Sequence, residues 1–252
     1  MKKKSILCIA ILAVLMLSLV GCTYEAEVVP VDTETASLET DYETGQTSVT
    51  DEIQIPGESF SLVCTYDTGD YPLDNWRVTA SKGINMSVNT KGLPEGYKTY
   101  IEHMHADIVL KSTDPQIDGI TQDTMDDSDH RTPTNGFFIS DSVSYNNTFA
   151  IEGYTEQFYT LWGYACGEYG RVESTYDRLT ENNIRKSGTY AEKLIIVYDI
   201  VIYTPECEEG YVRSVRSEIL IPLAKDAQTV QKDLLTGDII ENTENVTEEI
   251  SE

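Results

Sequence analysis

The chain has 252 residues, 43 of them acidic and 18 basic, for a formal charge of −25, and 40% of it is hydrophobic. The acid excess excludes a general nucleic-acid binder, which must neutralise several phosphates at once, and argues against adhesion to anionic lipid through a basic face. The composition also excludes collagen, a coiled coil and a disulfide-dense mini-protein, and leaves enough apolar residues for a packed core.

In chain order, Lys2, Lys3 and Lys4 come first, followed by an apolar and small-residue run from Ser5 to Gly21. That run is short for a bilayer-spanning helix of about 20 residues, and its basic flank is that of a secretory signal. Its end, Leu19-Val20-Gly21-Cys22, resembles the lipobox of bacterial lipoproteins. The resemblance implies cleavage before Cys22, lipidation of its thiol with a diacylglyceryl group, and attachment to the extracytoplasmic face of a cell membrane by two acyl chains. Residues 1–21 are then the signal peptide, and the processed chain keeps 15 bases against all 43 acids.

Residues 23–58 hold ten acids, no base, much Thr and Ser, and no apolar period. Such a stretch cannot bury enough surface to offset its ordering entropy, so 22–58 is expected to be a disordered, self-repelling tether. Residues 225–252 are expected to be an acidic disordered tail, with seven acids and no base from 233 onward.

The body, 59–224, suits a single mainly β domain. Phe60 to Tyr66, Trp76 to Ala80, Ile84 to Asn89 and Thr99 to Lys111 are predicted strands, the last marked by Tyr100, Ile108 and Leu110. Lys193 to Tyr203 and Tyr211 to Leu223 are predicted to form a hairpin across Pro205 to Gly210, its first arm central and its second half-exposed. One short helix is predicted over Glu181 to Lys186, capped by Thr180 and ended by Gly188. The expected fold is an antiparallel β-sandwich, immunoglobulin-like, with that one helix.

After processing three cysteines remain besides Cys22: Cys64, Cys166 and Cys207. Cys64, Trp76 and Tyr164-Ala165-Cys166 resemble the Cys–Trp–Tyr-x-Cys skeleton of immunoglobulin domains, and the resemblance implies a Cys64–Cys166 bridge. The 90 residues from Trp76 to Cys166 depart from that skeleton's spacing. The alternative is three separate thiols, since free Cys is a common small core residue.

His103, His105 and Asp107 alternate, so a strand would present all three on one face as a metal-ligand row. With His130, which sits among Asp126, Asp127 and Asp129, they would make a metal-assisted hydrolase. The plainer reading is the solvent-facing side of an outer strand, and it is preferred. Ser112 to Asn135 reads as a long acidic loop in which Asp123, Asp126, Asp127 and Asp129 offer oxygen ligands for calcium, although the EF-hand spacing is missing. Nucleophile motifs are lacking. No G-x-S-x-G, S-x-x-K or phosphate-binding loop occurs, and Glu168 beside Cys166 would raise a thiol pKa.

Tyr154, Phe158, Tyr159, Trp162, Tyr164 and Tyr169 crowd six aromatics into sixteen positions. Tyr154, Tyr159, Trp162 and Tyr164 are the candidate ligand contacts, with packing in the core as the alternative.

Gly119 to Asp127 and Leu179 to Ala191 are similar to stretches in uncharacterised surface lipoproteins of Gram-positive bacteria, a group that brings no reaction, cofactor or ligand with it. The expectation is therefore a lipid-anchored extracytoplasmic binding or interaction protein without catalysis, cofactor or nucleic-acid partner, its partner a surface or cell-wall component. The alternatives are the metal-assisted hydrolase and a signalling peptide cut from the leader, with residues 14–21 as its source.

Overall fold

The computed structural model describes residues 36–40, 47–128, 136–167 and 178–224, together with the backbone of 231–232 and 239–240. Two sheets pack face to face. In chain order the strands are β1 (Ala36–Ser37), β2 (Glu39–Thr40), β3 (Thr47–Gln54), β4 (Ser61–Asp67), β5 (Lys82–Lys91), β6 (Lys98–Ser112), β7 (Thr121–Ser128), β8 (Phe137–Ile139), β9 (Tyr145–Ile151), β10 (Thr189–Thr204) and β11 (Cys207–Pro222), then the short pair β12 (Gln231–Lys232) and β13 (Ile239–Ile240). The large sheet runs β1-β11-β10-β6-β7 with β8 also paired to β6, and the small sheet runs β2-β3-β4-β5-β9. All pairings are antiparallel except β1 with β11, so the large sheet is mixed.

Period-2 alternation builds the interior. Leu62, Cys64 and Tyr66 of β4 and Ile84, Met86 and Val88 of β5 face Ile101, Met104 and Ile108 of β6 and Leu194, Ile196 and Tyr198 of β10, all of them buried. Polar bonds cross the same core. The hydroxyls of Tyr66 and Tyr198 meet at 3.2 Å, and Ser217 Oγ donates to Asp51 Oδ2 at 2.7 Å. Burial raises the pKa of the Cys64 thiol, which makes it inert as a nucleophile.

The predicted hairpin is present as β10 and β11, with β10 flanked by β6 and β11. Four expectations change. The tether does not extend to residue 58, because Leu38, Ile53 and Ile55 are buried and β1, β2 and β3 are built into the sheets. Trp76 to Ala80 is not a strand. Leu73–Asn75 is a 3₁₀ turn that ends at Trp76 and delivers its indole into the core. Ser112 to Asn135 is not structureless, since 121–128 pairs with β6 as strand β7. Among the described residues there are two helices, α1 (Glu156–Ala165) and α2 (Glu181–Lys186), where one is predicted.

Each helix has the capping its sequence encodes. Thr155 Oγ1 accepts from Phe158 N, and Thr180 Oγ1 accepts from Asn183 N. No disulfide joins Cys64 to Cys166, and Cys166 caps the C-terminus of α1, so the immunoglobulin skeleton is not reproduced there. Among the described residues no helix is long and apolar enough to cross a membrane.

Candidate functional site

The outer face of the large sheet carries the densest chemistry. On β6, alternation points His103, His105 and Asp107 outward, as predicted, between the buried Met104, Ala106 and Ile108. Register completes the group. His105 lies opposite Asp126 of β7, and His103 lies opposite Asp199 of β10. His103 Nε2 is 3.1 Å and His105 Nδ1 is 2.8 Å from the same Asp126 oxygen. His105 Nε2 is 3.2 Å from Asp107 Oδ2, and His103 Nδ1 is 3.4 Å from Asp199 Oδ2. Carboxylate and imidazole therefore alternate across three strands, in the order Asp199, His103, Asp126, His105, Asp107.

Neutral imidazole has a single N–H, so a ring with a carboxylate at both nitrogens is fully satisfied only when protonated. The pKa of His105 is accordingly raised, first by its bond to Asp126, with burial opposing and Asp107 adding to the rise. The pKa of Asp126 is lowered, first by the His105 bond, with burial opposing and His103 adding to the same effect. This is a proton-holding arrangement. Among the described residues no three His, Cys, Asp or Glu side chains form a group that could hold a metal ion. His130, the fourth ligand in the hydrolase reading, lies outside the described residues, as does Asp129.

The remaining acids of the expected calcium loop are dispersed by the strand. Asp127 faces the opposite way from Asp126 and accepts from Tyr145 Oη at 2.6 Å and Asn147 Nδ2 at 2.7 Å. Asp123 caps the backbone N–H of Glu152 at 2.8 Å. Each carboxylate serves a separate local structure.

Farther along the same face, Tyr100 of β6, Phe138 of β8 and Tyr203 of β10 pack as a trio, with ring centroids 5.4 Å and 5.8 Å from Tyr100. Phe138 is 43% exposed. Tyr203 lies over Gly210, where an added Cβ would approach the ring to 2.9 Å at a backbone φ of +72°. Only glycine meets both demands. Alternation read from His103 would place Tyr100 inside. The register shift between Asp199 and Ile200 on β10 leaves Glu102 as an extra residue on β6 and returns Tyr100 to the outer face.

The aromatic run predicted as a contact surface is divided by α1. Phe158, Tyr159 and Trp162 are buried on the side that packs against β7, whereas Tyr154 and Tyr164 are 43% and 52% exposed. Trp162 meets Phe158 edge to face with centroids 6.3 Å apart. Tyr169 and the lipidation site Cys22 lie outside the described residues.

No family model matches the chain, and no curated protein matches it. Among solved structures, the chain is similar to one described as a protein from Archaeoglobus fulgidus, at 11% identity and a TM-score of 0.23, over 72% of this chain and 95% of that one.

Proposed function

We propose that the chain is a lipid-anchored, extracytoplasmic binding protein that engages its partner through the outer face of the large sheet and performs no chemistry there. The anchor rests on the lipobox-like Leu19-Val20-Gly21-Cys22. The observation that carries the binding reading is the half-exposed trio Tyr100, Phe138 and Tyr203, set beside the Asp–His row on one continuous face. Aromatic side chains give a large contact area at low entropic cost, and the charged row supplies direction. In this reading the sandwich serves as immunoglobulin-like domains do, presenting a sheet face as the contact surface.

The test uses the full chain carrying Cys22→Ala, incubated with intact cells and with isolated cell-wall fractions. Phe138→Ser in that background should leave the melting transition in place and weaken retention about tenfold or more, as expected for an interface anchor. Retention unchanged by both Phe138→Ser and Asp126→Asn would remove the binding role from this face. The same Cys22→Ala chain should leave the membrane fraction, and its persistence there as a processed species would refute the anchor.

A further inference from the structure

The innermost charged pair lies away from the outer face. The side chains of Lys82, at the start of β5 in the small sheet, and Glu192, on β10 of the large sheet, are both 0% exposed, with Nζ and Oε1 3.0 Å apart. Trp76 seals them. Its ring centroid is 5.0 Å from Nζ, and its Nε1 donates to Glu192 Oε2 at 2.8 Å. Lys82 Nζ also donates to the backbone oxygens of Arg77 at 2.5 Å and Val78 at 3.4 Å.

We propose that Lys82 and Glu192 become joined covalently by an amide between their side chains, a cross-link tying the two sheets together. The amine nitrogen is held 3.0 Å from a carboxyl oxygen, with both side chains fully buried away from water. Two charges in a low-dielectric interior are expensive, and transfer of one proton across the 3.0 Å contact converts ammonium and carboxylate into amine and carboxylic acid. Burial favours that neutral acid, with the nearby Glu181 carboxylate acting in the same direction and Lys82 and Trp76 opposing it.

The step balances without any further reactant. The Nζ lone pair forms a bond to Glu192 Cδ, and the developing negative charge falls on Oε2, which already faces the Trp76 N–H. Oε1, carrying the transferred proton, takes a second proton from the nitrogen and leaves as water. Nothing is oxidised or reduced. The product also fits the site. Its amide N–H keeps the Arg77 carbonyl as acceptor, its oxygen keeps the Trp76 donor, and both buried charges are gone. The partners are 110 residues apart in sequence, so the bond would close a long loop and restrict the unfolded chain as a disulfide does.

Tryptic digestion of the full, denatured chain followed by mass spectrometry tests the cross-link directly. Trypsin cannot cut after an acylated lysine, so the expected species is a branched peptide. It joins 78–91, uncut at Lys82, to 187–193 through Glu192, and it is lighter by one water than the two chains together. Recovery of 78–82, 83–91 and 187–193 as separate linear peptides in full yield would overturn the proposal and leave a salt bridge. Lys82→Arg keeps a cation but offers no amine, and should release linear 187–193. The wild-type digest distinguishes the amide from the salt bridge even if that variant does not fold.

Discussion

His105 has a carboxylate at each ring nitrogen, and the arrangement has a defined pH signature. Its folded pKa lies above the ordinary 6.5. The stabilisation it supplies is therefore complete below about 6.5 and is lost as the pH rises through the raised value. Asp126 has the opposite sign. Its folded pKa lies below the ordinary 3.8, so its share is present above that value and is lost as the pH falls through the lowered one. Both contribute together between those two limits. Both are largely solvated, so the effect on stability is small and screened by salt. The direct measurement is an NMR titration of the His105 ring. The pKa should exceed 6.5 in the native chain and move back toward it in Asp126→Asn. An unchanged titration in that variant would remove the Asp126 bond from the account.

At the scale of single elements, α1 determines what its aromatics can do. Thr155 starts the helix, and the helical period then sends Phe158 and Trp162 into the core four residues apart, while Tyr164 points outward. Trp162→Ala should therefore act on stability and not on binding. Removing a buried tryptophan costs ~3–5 kcal/mol, a large part of the total stability of a domain this size. A thermal melt near the native midpoint would contradict the packed position. β3 shows the converse of α1, being a strand hidden by its composition. Its inward positions are Thr47, Val49, Asp51 and Ile53, so a charged residue interrupts the apolar alternation. The partner that makes Asp51 acceptable there, Ser217, is 166 residues away. β7 is similar, because its acids read as a loop until β6 supplies a strand to pair with.

For the molecule as a whole, the expected boundary of the folded unit moves toward the N-terminus. Leu38 is buried where the chain crosses from β1 on the large sheet to β2 on the small one, and its N–H donates to Leu220 O at 2.9 Å. Limited proteolysis should spare a fragment that retains β3 and the β10–β11 hairpin. Cutting between residues 47 and 58 before any cut within 61–128 would show that β3 is not part of the core. The two sheets are held by features from distant parts of the chain: the Tyr66–Tyr198 hydroxyl pair, Ser217 on Asp51, and the Trp76, Lys82 and Glu192 group. None of these pairs is recognisable until the sheets are stacked.

Local chemistry in the sequence was enough to define the mainly β character, the β10–β11 hairpin, helix α2 with its Thr180 cap, the outward alternation of His103, His105 and Asp107, and the lipobox-like Cys22 on which the anchor proposal rests. Each of these is written in neighbouring residues, as a period of two, a cap with its stop, or a short motif. Tertiary structure alone decided the rest. It recruited β3 and β7 from acidic stretches, because strand pairing can supply hydrogen bonds and partners that composition does not reveal. It buried Trp162 and left Tyr164 in solvent. One extra residue at Glu102 turned Tyr100 outward to meet Phe138 and Tyr203, since in a strand a single residue of register exchanges the two faces.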